Sequence, residues 1–579
     1  MKPSVRLVVF AILIARAMLS LGWASPPGSP NDPRLEEMID RYFDSFPAHE
    51  RFSGVVLLAR GDDIFLHKGY GQASLEFGVA NGPASRFQIG SITKAFTAML
   101  VLRMAERGVL RLDATVSDYL PYYPEKTGRR ITIGHLLSHT SGIPHHIDAV
   151  PDYWMSHDKY FHTPKELLRL FWNTPLAHEP GARFTYSSPG FYILGAILER
   201  AANKSYAEIL QEHLLAPLGM NETRVENNHT VASRTATGYR RGLSGLVRAG
   251  IEDKSTALAA GDMVSTASDL YLWQKALNLK GDAVLTAESK ERLFKLIFPD
   301  RPMTWGGPVF RIPYDEGRKT MTLCQLGGSS AGYAAHLGHT FEEGICIIVL
   351  SNVQDADVQR IGDDIGDIFL RRRLGIAVGP AAPPTRTLPA PAEVPAADIE
   401  TCLGFYRHGD GTLSAVVRDE GRLYLLGRGS DNIFQRAQAL TPQAPGLFHL
   451  GHHPDFRCRV APDDADGTLV LTARRGERVF ASARKAAAAD MPVGEYAGYY
   501  ASVELQKTFR FSASGAGLTA EKFLGEADLP LIPLAPDLFG WERGFIDFTR
   551  DRDGSISGFK LTTKDTDLYF GSLFVKKDP

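Results

Sequence analysis

The sequence predicts an α+β fold, an α/β sandwich, followed by two small antiparallel β-barrels. Strand patterns lie at both ends of residues 30–376, and helical patterns fill the region between them. A proline-rich stretch comes next, and short strand patterns with Gly and Asp turns follow it. A sheet assembled from the two ends of one segment, with helices packed on it, fits that order.

Residues 1–24 predict a secretory signal peptide. Lys2 and Arg6 precede an apolar run, and small residues up to Ala24 form a cleavage site. We therefore expect a soluble protein, periplasmic or secreted, with no stable membrane span after cleavage. The chain has 64 Lys+Arg and 66 Asp+Glu, so its net charge is close to zero and no strong electrostatic field attracts a polyanion. Nucleic acid is therefore not an expected partner. The oligomeric state stays open.

The elements of residues 30–376 follow from periodicity and turn signals. A helix is expected near Leu35–Phe46, and two strands joined by a Gly-Asp-Asp turn are expected at Phe52–Arg60 and Ile64–Tyr70. Ser91–Glu106 is apolar almost all round and stops at Gly108, which predicts a buried helix. Three later strands and a last helix are expected at Thr320–Leu326, Gly332–Leu337, Gly344–Ser351 and Asp357–Arg373.

The C-terminal part is predicted as a linker and two barrels. Prolines crowd residues 377–397, which indicates a stiff, extended linker. Residues 398–484 and 492–579 carry short strands with Asp-Gly turns, as in small barrels. A faint repeat relates them, because TCLGFY at 401–406 resembles EYAGYY at 495–500. The aromatic residues of these repeats are expected to face the barrel cores: Phe405, Tyr406, Tyr499 and Tyr500.

The chain has four cysteines, namely Cys324, Cys346, Cys402 and Cys458. An oxidising compartment permits a disulfide between Cys402 and Cys458, and the sequence leaves this pairing open. The first two lie on apolar strands and are expected to be buried thiols. His135 and His139 are four residues apart but lack the glutamate of an HExxH zinc motif. Neither a metal nor another cofactor is expected.

Ser91 and Lys94 are the first candidates for chemistry. At positions i and i+3 they share one face at the start of a helix, where the helix dipole favours negative charge on the serine oxygen. A lysine in an apolar site can accept the proton of a nucleophile. The SxxK spacing alone is a weak signal, because it occurs by chance in chains of this length.

Tyr186 and Ser188 come next, in EPGARFTYSSPG just before a predicted helix at Pro189–Ala202. A phenol beside a lysine is a candidate general base. The structural alternative for Tyr186 is a core tyrosine that anchors a loop. Ser188 has its own alternative as a helix N-cap, since Pro189 would occupy the first helical position.

The segment from Gln325 to Tyr333 ends a strand in small residues. Backbone can therefore approach a substrate closely. The backbone N–H groups of Gly328 and Ser91 are candidates for an oxyanion hole. Gln325 and Gly327 are candidates for substrate binding.

The order SxxK, then PGxxFxYS, then a strand ending in QxGG resembles the serine β-lactamase and penicillin-binding-protein superfamily, in particular its class C β-lactamases, DD-peptidases, D-aminopeptidases and esterases. The resemblance covers roughly residues 35–375. It implies a β-lactamase/transpeptidase-like catalytic domain. With two C-terminal, lipocalin-like barrels, the architecture resembles that of bacterial D-aminopeptidases.

The resemblance implies that Ser91 is acylated and that Lys94 and Tyr186 act as a coupled proton-transfer pair. Two residues depart from the family pattern. Ser188 stands where Asn is usual, and Gln325 stands where a Lys or His helps to bind a substrate carboxylate. We therefore expect an exported serine hydrolase that acts on a small molecule or short peptide, as a D-aminopeptidase or DD-peptidase does. The alternatives are a carboxylic esterase of the same fold, and a catalytically degenerate cell-wall or penicillin-binding receptor.

Overall fold

The structure is a computed structural model. It describes residues 32–46, 51–145, 160–227, 233–241, 246–277, 284–298, 303–314, 319–373, 394–408, 413–419, 422–428, 434–450, 456–463, 468–475, 478–485, 493–502, 507–514, 517–521, 529–535, 538–541, 544–551, 553, 555–563 and 573–577. The predicted signal at residues 1–24 and most of the predicted linker at 377–397 lie outside these ranges.

The α-helices of the described chain are α1 Pro33–Asp44, α2 Thr93–Glu106, α3 Val116–Tyr119, α4 Glu125–Gly128, α5 Ile133–Leu137, α6 Pro164–Arg169, α7 Ser188–Ala202, α8 Tyr206–Leu210, α9 Ala216–Leu218, α10 Ala267–Leu277, α11 Ala287–Leu293, α12 Val358–Arg373 and α13 Ala396–Cys402. Short 3₁₀ turns occur at Gly90–Ile92, Lys254–Ala257 and Val493–Tyr496, and a π-helical turn occurs at Gln211–Leu215.

The first fourteen strands are β1 Gly54–Arg60, β2 Asp63–Tyr70, β3 Gln72–Ser74, β4 Val79–Ala80, β5 Phe87–Gln88, β6 Arg224–Val225, β7 Tyr239–Arg241, β8 Leu246–Arg248, β9 Met263–Ser265, β10 Met303–Thr304, β11 Gly307–Tyr314, β12 Lys319–Ser330, β13 Tyr333–Thr340 and β14 Ile345–Ser351.

The C-terminal strands are β15 Gly404–His408, β16 Leu413–Asp419, β17 Arg422–Arg428, β18 Phe434–Ala444, β19 Leu447–Leu450, β20 Phe456–Pro462, β21 Leu469–Arg475, β22 Arg478–Lys485, β23 Gly498–Ser502, β24 Lys507–Ser514, β25 Gly517–Glu521, β26 Leu529–Ala535, β27 Leu538–Trp541, β28 Gly544–Arg550, β29 Ile556–Thr563 and β30 Leu573–Lys577.

A seven-stranded sheet with the order β10-β11-β12-β13-β14-β1-β2 organises the first part of the chain. The strand β1 pairs antiparallel with β14, so that Gly54 lies opposite Ser351. The sheet is thus assembled from both ends of the segment, as the sequence predicted. Side chains alternate between its two faces, and both faces are covered, which explains why β1, β13 and β14 are buried almost throughout.

Two apolar clusters cover the two faces of the sheet. On one face, α1 and α12 pack against Val56, Leu58 and Val349. On the other face, Val55 and Leu57 join a larger cluster that contains α2 and α7. The helix α2 is buried on nearly all sides, because its residues from Thr93 to Leu102, apart from Lys94, are apolar or small. This burial places the start of α2 next to the sheet.

An ion pair links the beginning and the end of this part of the chain. Arg372, near the end of α12, donates through Nε to Oδ2 of Asp32 at 2.9 Å. Asp32 is also the N-cap of α1, where its side chain accepts from the backbone N–H of Arg34. The first helix and the last helix of the sheet region are therefore joined on one face of the sheet.

The C-terminal strands form two antiparallel sheets of eight strands each. In the first, β15 pairs with β22, and in the second, β23 pairs with β30, so each ring of strands closes. The mixed helix and strand content, with antiparallel sheets at the C-terminal end, agrees with the predicted fold class. Closure leaves no sheet edge exposed to pair with another chain.

The predicted repeat has a matching hydrogen bond in each C-terminal sheet. The Tyr406 hydroxyl donates to the carbonyl of Cys402 at 2.6 Å, and the Tyr500 hydroxyl donates to the carbonyl of Tyr496 at 2.9 Å. Both tyrosines are fully buried. The prediction was wrong for Tyr499, whose side chain is 40% exposed, because neighbouring residues of a strand face opposite sides. The side chain of Phe405 lies outside the described part of the structure.

All four cysteines are buried free thiols. Cys402 and Cys458 share one apolar cluster but form no disulfide, so the pairing that the sequence left open is not present. Burial raises the pKa of both the Cys324 and the Cys458 thiol to about 12. Within the described ranges, no helix combines the length and the apolar content that a membrane crossing requires.

Candidate functional site

Ser91 lies in the 3₁₀ turn Gly90–Ile92, directly before α2. The helix begins two residues later than predicted, because the turn occupies its expected first residues. Gly90 has φ of +49°, and a Cβ atom there would lie 2.5 Å from the carbonyl oxygen of Ser329. A glycine is therefore required at this position, both for the left-handed backbone and for the close approach of β12. The turn holds Ser91 at the positive end of α2.

Lys94 is on the first turn of α2, and 6% of its surface is exposed. Its Nζ donates to Oγ of Ser91 at 3.1 Å and to the carbonyl oxygen of Ala260 at 2.8 Å. The same atom lies 5.1 Å from the ring centroid of Tyr186. The predicted proximity of Ser91 and Lys94 is present, and the carbonyl of Ala260 fixes the direction of the lysine.

The loop that carries Ala260 is held by two buried side chains. Ala259 has φ of +56°, an unfavourable conformation for a residue with a Cβ atom. Thr97 of α2 donates to its carbonyl at 2.6 Å, and Oδ2 of Asp262 accepts from its N–H at 3.0 Å. Asp262 is 2% exposed, and its Oδ1 lacks a hydrogen-bond partner within the described chain. Asp262 and Thr97 thus position the group that orients Lys94, and neither role was predicted from the sequence.

We expect the substitution Asp262→Asn to change how stability depends on pH. Burial raises the pKa of Asp262 from 3.8 to about 7, although the positive charges of Lys254 and Lys94 oppose this shift. The folded state therefore binds the proton more tightly than the unfolded state, and stability falls as pH rises between these two values. Asparagine keeps an acceptor for Ala259 and has no such proton to lose.

As the pH rises from 4 to 8, the free energy of unfolding of Asp262→Asn should therefore increase relative to that of the wild type. The expected increase is about 1.4 kcal/mol for each unit of pKa shift that the substitution removes. Urea unfolding at a series of pH values measures this difference. Parallel pH profiles for the two proteins would contradict the prediction. Asp253→Asn, at the N-cap of the neighbouring 3₁₀ turn Lys254–Ala257, is the control.

Tyr186 lies in the loop before α7, and its hydroxyl donates to Oγ of Ser91 at 2.9 Å. Its ring stacks on His139, with centroids 4.6 Å apart. Burial lowers the pKa of His139 to about 3, with the positive charge of Lys94 as a smaller cause, so this imidazole is neutral at ordinary pH. Its Nδ1 accepts from the backbone N–H of Ser187 at 3.1 Å. Tyr186 is thus placed on a rigid, uncharged support rather than in the core, since 37% of it is exposed.

Ser187, and not Ser188, is the N-cap of α7. The Oγ of Ser187 accepts from the N–H of Gly190 at 3.3 Å, and Ser188 is the first residue of the helix. The structural alternative for Ser188 was therefore wrong by one residue. Its hydroxyl lies 3.4 Å from Nε2 of His145, and the His145 ring stacks on Tyr186 with centroids 5.5 Å apart. No role was predicted for His145 from the sequence.

Two glycines near the end of β12 differ in what they face, and only Gly328 faces the nucleophile turn. A Cβ atom at Gly328 would lie 1.9 Å from the carbonyl oxygen of Ile89 and 3.1 Å from the backbone nitrogen of Ser91. A Cβ atom at Gly327 would meet no atom within 4 Å. Gly328 thus allows backbone contact between β12 and the Ser91 turn, whereas Gly327 borders open space.

Gln325 does not join the Ser91 cluster. Its Nε2 donates to Oδ1 of Asp363 on α12 at 2.7 Å. Successive residues of a strand alternate in direction, so Gln325 projects from the face opposite to the one on which Gly328 meets Ser91. Burial raises the pKa of Asp363, and the hydrogen bond from Gln325 opposes that rise. The spacing along the sequence could not identify this partner, because it lies on a different element.

The arrangement brings three polar atoms together and is suited to proton transfer at a serine. The Oγ of Ser91 is within hydrogen-bond distance of both Lys94 and Tyr186, and the start of α2 faces the same point. Within the described chain, no group of three or more His, Cys, Asp or Glu side chains is placed to hold a metal ion.

Comparison with known proteins extends this picture. Residues 39–371, more than half of the chain, match the family model described as Beta-lactamase. Penicillin-binding protein 4* of Bacillus subtilis (strain 168) is 28% identical over 406 residues, which cover 66% of this chain and 85% of that protein. The putative penicillin-binding protein PbpX of the same strain is 29% identical over 262 residues, which cover 45% of this chain and 63% of that protein.

A solved structure shows the same fold. The octameric penicillin-binding protein homologue from Pyrococcus abyssi has a TM-score of 0.50 and 22% identity, and the match covers 79% of this chain and 100% of that chain. At this identity the likeness concerns the fold alone.

Proposed function

This chain belongs to the Beta-lactamase family and is a β-lactamase-related serine hydrolase, and from that premise we propose that it cleaves small amides or short peptides through an acyl-enzyme at Ser91. The observation that carries the proposal is the convergence of Lys94 and Tyr186 on Oγ of Ser91, at 3.1 and 2.9 Å. A serine with two proton-transfer groups in reach can act as a nucleophile at neutral pH.

The proposed reaction has two halves. In the first, the oxygen of Ser91 attacks the substrate carbonyl carbon while the Lys94–Tyr186 pair takes the serine proton and passes it to the leaving group. The backbone N–H groups of Ser91 and Gly328 are the proposed donors to the oxyanion. In the second half, the same pair takes a proton from water, the hydroxide attacks the acyl carbon, and Ser91 regains its proton.

The residue type at position 325 guides the proposed substrate class, because Gln325 is neutral and turns to Asp363 on the other face of the sheet, away from Ser91. A neutral amide gives up the charge-assisted bond that a lysine would make with a substrate carboxylate. This favours substrates without a carboxylate near the scissile bond, as for a D-aminopeptidase, and it leaves the esterase alternative in place. Gly327, which borders open space, and Ser188 are the other proposed contacts.

The names of the relatives favour a second candidate of another class. Both Bacillus proteins are named as penicillin-binding proteins. A receptor for penicillin or cell-wall fragments with degenerate chemistry is the corresponding proposal, whereas a DD-peptidase-like activity belongs with the peptide hydrolase proposed above. Sustained turnover would exclude the receptor.

The proposed organisation follows the predicted boundaries. It comprises a signal at residues 1–24, a catalytic domain at 30–376, a linker at 377–397, and lipocalin-like barrels at 398–484 and 492–579. This organisation supports export to the periplasm or outside the cell.

Two measurements test the proposal. A fluorophosphonate probe should label the wild-type protein once, and peptide mapping should place the adduct on Ser91. Values of kcat/KM should then rank D-alanine p-nitroanilide, p-nitrophenyl butyrate and a peptide ending in D-Ala-D-Ala, with the last the poorest. An adduct on another residue would overturn the assignment of the nucleophile, and a preference for the carboxylate peptide would overturn the substrate class.

A further inference from the structure

The imidazole of His145 contacts two residues of the proposed active site. Its ring stacks on that of Tyr186, with centroids 5.5 Å apart and planes 18° apart. Its Nε2 lies 3.4 Å from Oγ of Ser188. The proposed proton transfers use neither His145 nor Ser188, so the contact between them can serve substrate binding.

We infer that His145 is a positioning residue that orients the Ser188 hydroxyl, so that this hydroxyl accepts a hydrogen bond from an N–H group on the acyl side of the substrate, either an amide N–H or the amino group of an aminopeptidase substrate. The inference rests on the proposed function, because it requires a substrate that acylates Ser91. Only Ser187 separates Tyr186 from Ser188, and His145 contacts both, so Ser188 shares a neighbour with the phenol that donates to Ser91.

The chemistry of a hydroxyl explains why a partner is needed. A serine hydroxyl has one donor and two acceptor lone pairs, and it rotates freely when alone. If Ser188 donates to Nε2 of His145, its lone pairs are fixed and available to a substrate N–H. The long distance of 3.4 Å leaves room for adjustment when a substrate binds.

His139 cannot supply the same orientation, although it also stacks on Tyr186. It is buried, and its Nδ1 already accepts from the N–H of Ser187 at 3.1 Å. The two imidazoles therefore have different tasks. His139 supports the phenol ring, and His145 orients Ser188.

The test compares two substrates that differ only at the amide nitrogen, namely the p-nitrophenyl esters of N-acetylglycine and N-acetylsarcosine. The first has an N–H group and the second has an N-methyl group. The substitution His145→Ala should lower the ratio of their kcat/KM values about tenfold, which corresponds to one hydrogen bond. His145→Gln, which keeps a hydrogen-bonding group, should restore part of the ratio. His213→Gln, on the distant π-helical turn, should leave it unchanged.

A double substitution checks that His145 works through Ser188. An asparagine at 188 carries its own fixed acceptor, so His145→Ala should change the ratio less than about twofold when combined with Ser188→Asn. An equal loss for both esters, or the same loss with Ser188→Asn present, would overturn the inference. Fluorophosphonate labelling of the wild-type protein and of each variant distinguishes the two proposals. Absence of labelling in the wild-type protein would refute the Ser91 nucleophile. A normal adduct in His145→Ala with an unchanged ratio of kcat/KM values would refute the role of His145 alone.

Discussion

The substitution Ser91→Ala should lower kcat/KM on every substrate by at least about 10³-fold and should abolish fluorophosphonate labelling. Alanine has no oxygen to carry the acyl group, and Lys94 and Tyr186 lose the atom on which they converge. The fold should persist, because Lys94 keeps its bond to the carbonyl of Ala260.

The matched control for this experiment is Ser45→Ala. Within the described residues, the Ser45 hydroxyl donates to the carbonyl of Tyr42 at the end of α1. Its removal should leave both turnover and labelling at the wild-type level. Labelling of Ser91→Ala at the wild-type rate would show that another residue is the nucleophile.

The second large effect is expected for Gly328→Ala. The new Cβ atom would lie 1.9 Å from the carbonyl oxygen of Ile89, and a clash with backbone cannot be relieved by rotating a side chain. The end of β12 and the Ser91 turn must move apart, which displaces the two proposed oxyanion donors. Removing one such donor costs about 10²–10³ in kcat, so a loss of at least about 10²-fold is expected.

Gly327→Ala is the neighbouring comparison. Its Cβ atom would enter open space, so its loss of kcat/KM should be smaller than that of Gly328→Ala by at least about tenfold. Thermal unfolding of both variants separates a displaced site from a destabilised fold. Equal losses for the two would contradict the proposed role of the contact between Gly328 and Ile89.

Features that depend on neighbouring residues in the chain were predictable. The contact between Ser91 and Lys94 follows from their spacing on one helical face, and the strands on both sides of the helical region form one sheet, as their order indicated. Tyr186 required the further step of a resemblance to a known family. Even there, only the residue type and the order of motifs pointed to the Ser91 site.

Features that depend on tertiary partners were not predictable in the same way. Gln325 appears next to the glycines of β12, but its partner Asp363 lies on α12, and strand alternation decides which face it takes. Asp262 lies in an apolar run, and its position behind Lys94 arises from the loop at Ala259. The predictions for Ser188 and Tyr499 failed for similar reasons. One position along the chain separates a helix N-cap from the first helical residue, and it also separates a side chain on the inner face of a sheet from one on the outer face.

The ion pair between Asp32 and Arg372 has a consequence for the evolution of the molecule. Because the first and last helices of the sheet region meet on one face, the chain enters and leaves this region at adjacent points. Segments with this property tolerate circular permutation and insertion into other proteins. Whatever follows Arg373 can therefore be exchanged, lengthened or lost in relatives while the strands and helices around Ser91 keep their arrangement.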